Sequence, residues 1–194
     1  MSCGLVTSVD LALPPWLADF VSSWTKPLDS SEQRMQLAVA LAAENVHRET
    51  GGPFGAIVVA EAGSRLLGAG VNLVTRLDVS MAHAEMMAVS LAQAAMGSWN
   101  LGARGKVQLV TSCEPCALCF GAVPWSGVNS LAWGALKEDA ERAGFDEGDK
   151  PSDWVASLER RGISTHGGVL REEAAAVLDH YAHRDGHIYH PLNS

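Results

Sequence analysis

Two short motifs constrain this chain more than any other feature of its sequence. His83 and Glu85 stand two residues apart, while Cys116 and Cys119 stand three apart just after Pro115. Residues three apart at the start of a helix lie on one face, within reach of one metal ion. Residues two apart in mid-helix point to nearly opposite sides, so His83 and Glu85 can converge only at a helix mouth. Both motifs are therefore predicted at helix N-termini.

The donor set of these motifs indicates a catalytic zinc site, with one Zn²⁺ per chain. His83, Cys116 and Cys119 supply three ligands, and hydrolytic zinc keeps its fourth position for water. Zinc lowers the pKa of that water from ~15.7 towards ~7, and the unligated Glu85 can take up its proton. A closed structural site with Cys113 as fourth ligand is the alternative, but it leaves Glu85 without a role.

The composition predicts one globular domain. The chain has 194 residues, of which 47% are apolar and 19% charged, enough to bury a core. No apolar run reaches the roughly 18 residues that span a bilayer, and the first residues lack the basic start and apolar stretch of a signal peptide. Four cysteines, three of them clustered in Cys113 to Cys119, suit a reducing compartment. We therefore expect a cytoplasmic protein with no membrane partner.

The charge of the chain disfavours nucleic acid as a partner. The formal net charge is -8, and no run of basic residues exceeds the pair Arg160-Arg161. A protein that follows a phosphate backbone normally carries a clustered basic surface. The alternative interpretation of the negative charge is that the protein has no charge-dependent partner at all.

Hydrophobic periodicity predicts alternating helices and strands. Ser30 and Gln33 form a capping-box pattern that opens a helix to about Arg48. The later elements are a hairpin of 56–60 and Arg65–Val71, a helix at 81–96, a strand at 107–111, a helix opening at 116–122, a strand at 130–134, a helix at Lys137–Arg142, a strand at 163–169 and a helix at Arg171–His183. This order predicts an α/β fold, a three-layer α/β/α sandwich around a mixed five-stranded sheet.

Four segments in this order resemble the cytidine deaminase superfamily. They are residues 51–56 (Gly-Gly-Pro-Phe-Gly-Ala), 70–72 (Gly-Val-Asn), 82–85 (Ala-His-Ala-Glu) and 111–119 (Thr-Ser-Cys-Glu-Pro-Cys-Ala-Leu-Cys). The branch they resemble holds guanine deaminases, tRNA adenosine deaminases and fungal-type cytosine deaminases. The resemblance spans about Ser31 to Gly148 and implies a zinc-dependent aminohydrolase in which Glu85 is a proton shuttle.

The segment 143–147, Ala-Gly-Phe-Asp-Glu, resembles the Ala-Gly-Phe-Asp-acid segment of bacterial guanine deaminases. In those enzymes the second acid is an additional proton shuttle, which implies that role for Glu147, one methylene longer than an Asp. The resemblance then implies hydrolysis of guanine at C2 to xanthine and ammonia, with Glu85 and Glu147 as catalytic residues. An exposed acidic helix end is the alternative for Glu147.

The resemblance also implies which residues hold the base. Asn72 matches the asparagine that hydrogen-bonds it, since an amide both donates and accepts, and the backbone N–H of Ala84 addresses a ring atom. Phe54 and Trp125 are candidate walls. A turn position for Asn72 and core positions for the two aromatic residues remain open.

The C-terminal segment resembles a lid. In bacterial guanine deaminases this segment is exchanged between subunits and closes the partner's site with an aromatic residue, so the resemblance implies a homodimer and points to Tyr189. The predicted lid segment is residues 187–191, His-Ile-Tyr-His-Pro, and it includes His190 and Pro191. His183, His187 and His190 could instead suggest a second metal, but surface or lid positions are favoured.

We divide the chain into an N-terminal arm at 1–29, a zinc deaminase domain at 30–170, and a C-terminal helix with the lid at 171–194. The tryptophans of the arm, Trp16 and Trp24, could belong to a separate arm or pack on the domain or a second subunit. The expected partner is a small nucleobase. The alternatives to guanine are cytosine or an aminotriazine such as ammeline, then a tRNA adenosine, and lastly a non-catalytic zinc module for oligomerisation.

Overall fold

The structure is a computed structural model that describes residues 4–190. Its strands are β1 (Gly55–Ala60), β2 (Arg65–Val71), β3 (Val107–Cys113), β4 (Ser130–Ala135) and β5 (Ser164–His166). They form one sheet in the order β2-β1-β3-β4-β5. Strand β1 is antiparallel to both its neighbours, whereas β3, β4 and β5 are parallel. The predicted mixed five-stranded sheet is confirmed.

Helices cover both faces of this sheet. They are α1 (Pro15–Ser23), α2 (Ser31–His47), α3 (Val74–Leu77), α4 (Ala84–Met96), α5 (Ala117–Ser126), α6 (Lys137–Arg142), α7 (Trp154–Glu159) and α8 (Arg171–His183). One face carries α2 and α8, and the other carries α4 and α5. The predicted three-layer sandwich is therefore confirmed. Within residues 4–190, no helix has both the length and the apolar character needed to cross a bilayer.

Helix α4 lies unusually close to β2 because β2 carries glycine where the two elements meet. A Cβ at Gly70 would overlap the backbone oxygen of Ala84 and the backbone nitrogen of Ala88, and a Cβ at Gly68 would overlap the oxygen of Ala88. Glycine lets the two backbones touch without a side chain between them. This contact fixes the first turn of α4 over the end of β2.

Most predicted elements occur where the local signals placed them. The capping box is formed: Gln33 N donates to the Ser30 hydroxyl at 3.2 Å and Ser30 N donates to the Gln33 side chain at 3.0 Å. Strand β2 and helices α6 and α8 have the predicted bounds. A turn at residues 62–64 precedes β2, and Leu136 N donates to the Asp139 carboxylate at the start of α6, so local sequence suffices to place the starts of these two elements.

Two predicted elements are shorter than expected. The helix predicted from residue 81 begins at Ala84, because the backbone oxygen of Ala82 instead accepts a hydrogen bond from Leu73 N at 2.9 Å in a preceding turn. The strand predicted over 163–169 ends at His166. Gly167 then passes directly under the Trp133 ring, and Gly168 adopts a φ of +75° that turns the chain out of the strand.

The N-terminal segment contains a helix that the sequence did not predict. Pro15 occupies the first turn of α1, where a missing N–H is tolerated. Leu17 is buried, and the Trp16 Nε1–H donates to the Thr50 hydroxyl at 3.1 Å. Helix α1 therefore packs on the domain. The division of the chain at residues 29 and 170 stays a prediction.

Asp139 ties α6 to the last helix. Its carboxylate is 3% exposed and accepts hydrogen bonds from Leu136 N at 2.9 Å, Arg142 at 3.1 Å and Arg171 at 2.8 and 3.0 Å. The Arg171 guanidinium is the main cause that lowers the pKa of Asp139 to about 2. The ionised form of this carboxylate therefore stabilises the native state.

We expect Asp139→Asn to lower the free energy of unfolding by about 1–2 kcal/mol near pH 7, a figure discounted for the solvent around half-exposed Arg171. Because the native pKa is depressed, this contribution is complete above the ordinary Asp pKa of about 3.9 and is lost as pH falls below it. Denaturant titrations should therefore show parent and variant converging in acid. Glu138→Gln, which removes an exposed partner of Arg171, is the control and should change little. A gap that persists undiminished at low pH would contradict the assignment.

Candidate active site

His83 and Glu85 converge because they straddle the start of α4. His83 is the N-cap residue, with an extended backbone at φ -68° and ψ 154°, and its side chain does not cap the helix. Glu85 is the second helical residue and is buried. The change from extended to helical backbone between them turns both side chains towards one cavity, as the spacing predicted.

Cys116 and Cys119 stand at the start of α5 and face the same point. Cys116 is the N-cap residue and Cys119 lies in the first turn. Each sulfur is 3.5 Å from His83 Nδ1, and the three ligand atoms all lie within 4.8 Å of one another. Zinc bonds of about 2.3 Å to sulfur and about 2.0 Å to nitrogen, at the tetrahedral angle, place N and S about 3.5 Å apart. The three side chains therefore fit one zinc ion.

The two thiols differ in charge. A hydrogen bond from Cys119, with a further contribution from His83, lowers the pKa of Cys116 to about 4. The same hydrogen bond, together with burial, raises the pKa of Cys119. One sulfur is therefore a thiolate at neutral pH, the form that binds metal. Cys113 is buried and does not join the converging group, and burial raises the pKa of its thiol.

A second buried carboxylate faces Glu85 from the loop after α6. Gly144, at a φ of +99°, ends that helix, and the loop returns so that Ala117 N donates to the backbone oxygen of Glu147 at 2.9 Å. Glu147 is 4% exposed. Burial raises its pKa to about 8, helped by the charges of Cys116 and Glu85, and burial likewise raises the pKa of Glu85. Glu147 can therefore hold a proton near neutral pH, and burial favours the protonated form of Glu85 as well.

The cavity between these groups is small, about 50 Å³, room for one or two waters at ~30 Å³ each. It is lined by Phe54, Asn72, His83, Glu85, Glu114, Cys116, Phe145, Asp146, Glu147 and Tyr189. Seven of these were sequence-predicted site residues. Glu114, Phe145 and Asp146 were quoted only as parts of motifs and received no role.

Asn72 is held by a residue that the sequence analysis missed. Asn45 is fully buried in α2, and its Nδ2 donates to the backbone oxygens of Gly52 and Asn72 at 2.8 and 2.9 Å. Its Oδ1 accepts from the Thr50 hydroxyl at 2.6 Å. The available signal was an amide at a position of α2 that helical spacing assigns to the buried face.

Tyr189 enters the site of its own chain. Its hydroxyl accepts a hydrogen bond from Asn72 Nδ2 at 3.0 Å and lies 3.3 Å from His83 Nε2. Within one chain Tyr189 thus reaches the site, and the exchange of the C-terminal segment between subunits stays a prediction. His190 contacts Asp146 at 2.8 Å, and His183 contacts the Asp179 backbone oxygen. Each of these two histidines therefore has its own hydrogen-bonding partner, and the two do not converge on one metal site. Pro191 lies outside the described residues.

The two predicted aromatic walls have different outcomes. Phe54 lines the cavity and packs edge-on against Phe145, with ring centroids 4.8 Å apart. Trp125 is 78% exposed near the end of α5 and does not line the cavity, so its assignment as a wall is corrected. Its position follows from the helix, which turns the Trp125 side chain away from that of buried Cys119. Ala84 opens α4, where a backbone N–H has no acceptor within the helix.

The geometry predicts how metal content depends on each cysteine. We expect Cys113→Ser to retain about one zinc per chain, since its sulfur does not join the group, whereas Cys116→Ser should lose most of the metal. Elemental analysis after dialysis against a weak chelator measures both. Loss of zinc from the Cys113 variant, with its fold intact by circular dichroism, would point to the closed four-ligand site instead.

Comparison with known proteins agrees with this geometry. Residues 28–135 match the cytidine and deoxycytidylate deaminase zinc-binding region. The guanine deaminase of Bacillus subtilis (strain 168) is 37% identical over 128 residues, which cover 63% of this chain and 79% of that protein.

Solved structures extend the likeness over almost the whole chain. A guanine deaminase from Nitrosomonas europaea is 41% identical, with a TM-score of 0.86 over 93% of this chain and 100% of that one. NE0047 in complex with 2,6-diaminopurine is 42% identical, with a TM-score of 0.87 over 94% of this chain and 97% of that one. The zinc ligand geometry and the matched region together place the chain in the zinc-binding cytidine and deoxycytidylate deaminase family.

Proposed function

We propose that this protein is a zinc-dependent aminohydrolase that converts guanine to xanthine and ammonia. The observation that carries the proposal is the second buried carboxylate, Glu147, which faces the cavity together with Glu85. The substrate class is supported by the relatives called guanine deaminases and by the neighbour that binds 2,6-diaminopurine, a purine with an amino group at C2.

Hydrolytic deamination needs two proton deliveries, which gives each carboxylate a task. Zinc held by His83, Cys116 and Cys119 would supply a nucleophile at neutral pH by lowering the pKa of water. Glu85 takes the proton of that water and delivers it to the ring nitrogen beside C2. Glu147 delivers a proton to the departing amine and takes one back from the hydroxyl on C2, which becomes the carbonyl of xanthine as the bond from C2 to the amine breaks. The pKa of Glu147, about 8, suits a group that carries a proton near neutral pH, and burial raises the pKa of Glu85 in the same direction.

The remaining cavity residues suit an aromatic base. The Asn72 amide can donate to and accept from the edge of a purine, and the N–H of Ala84 can address a ring atom. Phe54 and Phe145 provide an apolar wall. Tyr189 closes the site as its lid, and because the cavity is only about 50 Å³, the tyrosine must withdraw before a base enters.

We infer a homodimer of this chain, in a reducing compartment such as the cytoplasm. Trp99 and Trp125 are 76% and 78% exposed, and large apolar side chains exposed to solvent are suited to contact with a second copy. The three free cysteines among the described residues support the reducing compartment. The net charge of -8 supports a free base over tRNA as substrate. Analytical ultracentrifugation of the parent and of Trp125→Ser tests the dimer.

An ammonia-release screen tests the reaction and its base. We expect the parent to deaminate guanine in preference to cytosine, adenine, aminotriazines and the nucleosides. Glu85→Gln keeps size and hydrogen-bonding capacity but cannot accept a proton, so ammonia release should fall by at least ~10²-fold while zinc is retained. Glu138→Gln on the exposed face of α6 is the matched control. A parent that prefers cytosine or ammeline would move the assignment to that base, and normal turnover by the Glu85 variant would remove Glu85 from the mechanism.

The role of Glu147 is tested by separating turnover from binding. Glu147→Gln should lower kcat for guanine by ~10²-fold and change KM much less, because the lost proton transfer belongs to the transition state. Zinc should remain, since Glu147 is not a ligand. Steady-state kinetics on the zinc-loaded enzyme decide the point: a parental kcat would mean that a single carboxylate makes both deliveries.

A further inference from the structure

A lysine is buried beside the metal-binding loop. The side chain of Lys150 is 4% exposed, and its ammonium lies 2.5 Å from Glu114 Oε1 and 2.6 Å from the backbone oxygen of Pro115. The Trp154 ring covers it, with the ammonium 4.6 Å from the ring centroid. A buried ammonium is costly unless it is paired and hydrogen-bonded. Both acceptors must therefore stay in place for the lysine to remain buried.

Lys150 and its two partners belong to different loops, and both loops build the site. Glu114 and Pro115 immediately precede the metal ligand Cys116, whereas Lys150 follows Glu147 by three residues. One ammonium therefore joins the loop that carries metal ligands to the loop that carries the second carboxylate. The hydrogen bond from Ala117 N to the Glu147 backbone oxygen is a second link between the same loops.

Glu147 depends on such links for its position. Across residues 4–190, the hydrogen bonds of the structure include none to the Glu147 carboxylate itself. The backbone beside it accepts two hydrogen bonds, one to the oxygen of Glu147 from Ala117 N at 2.9 Å and one to the oxygen of Gly148 from the Lys137 ammonium at 3.2 Å. Lys137 is 35% exposed, whereas Lys150 is shielded from water, so the Lys150 contacts are the stronger restraint.

We propose that Lys150 is a positioning residue for the deaminase reaction, holding the carboxylate of Glu147 at a fixed place relative to Cys116. The inference rests on the proposed function of Glu147. Lysine suits the position because its compact ammonium can direct separate N–H bonds to a carboxylate and a carbonyl. Misplacement of a reacting group by about 1 Å can reduce the rate ~10²-fold. The contacts of Lys150 with Glu114 and Pro115, called the Lys150 clamp below, therefore bear directly on turnover.

Lys150→Met tests the clamp, with Lys106→Met at an exposed position before β3 as the matched control. We expect the Lys150 variant to keep about one zinc per chain and to lose ~10-fold or more in kcat with a much smaller change in KM. Hydrogen exchange should show the Ala117 amide, whose acceptor is the Glu147 oxygen, losing protection by ~10-fold or more. The control should match the parent in all three measurements.

A double variant separates positioning from general stability. If Lys150 acts through Glu147, Lys150→Met should lower kcat little further in a Glu147→Gln background, because the interaction it supports is already gone. An equal loss of kcat in both backgrounds, or loss of zinc from the single variant, would overturn the proposal. So would parental kcat together with parental exchange at Ala117.

A second variant and a measurement without substrate cover two cases in which kinetics on Lys150→Met cannot be read. Should Lys150→Met fail to fold, Glu114→Gln weakens the same contact while keeping an acceptor oxygen, and it should show the same pattern with a smaller effect. Should the parent release no ammonia from guanine, the proposed function fails on that ground alone. The exchange of Ala117 then still decides whether Lys150 joins the two loops, since it is measured without substrate.

Discussion

The site depends on the meeting of two helix N-termini. Helices α4 and α5 lie on the same face of the sheet, and each begins with a residue that carries a metal-binding side chain, His83 on one and Cys116 on the other. The close contact between α4 and Gly70 sets the position of the first, and the end of β3 sets that of the second. Helix N-termini present free N–H groups and a positive dipole end. Thiolate sulfur and the negative charge that develops during hydrolysis are both stabilised there.

Much of this arrangement could be predicted because the controlling chemistry is local. The Ser30 and Gln33 pair marks a helix start by itself, and two ligands three residues apart lie on one face wherever the chain forms a helix there. The spacing of His83 and Glu85 requires the opposite, a break between extended and helical backbone, which the structure has at that point. Each signal lies within one or two turns of chain, so no knowledge of distant contacts is needed.

The parts that escaped prediction depend on which distant segments meet. Asn45 looks like an ordinary helix amide until the turn at Gly52 and the end of β2 are placed beside it. Lys150 looks like a surface lysine until Trp154 covers it. Trp125 shows the converse error: it is an aromatic residue close in sequence to a metal ligand, and the helix turns it to the outside. Side-chain direction on a helix changes by about 100° per residue, so proximity in sequence does not give proximity in space.

The order of the elements along the chain also affects how the metal site matures. Strand β3 needs β1 on one side and β4 on the other, and β4 follows Cys119 in the chain. As the polypeptide leaves the ribosome, the cysteines of the 113–119 cluster therefore emerge before the strand that completes their support. Parallel pairing such as that of β3 and β4 forms slowly, and a thiolate that waits without metal is open to oxidation. Newly made chains are thus most vulnerable before maturation, and recombinant production should supply zinc and a reductant during synthesis rather than after purification.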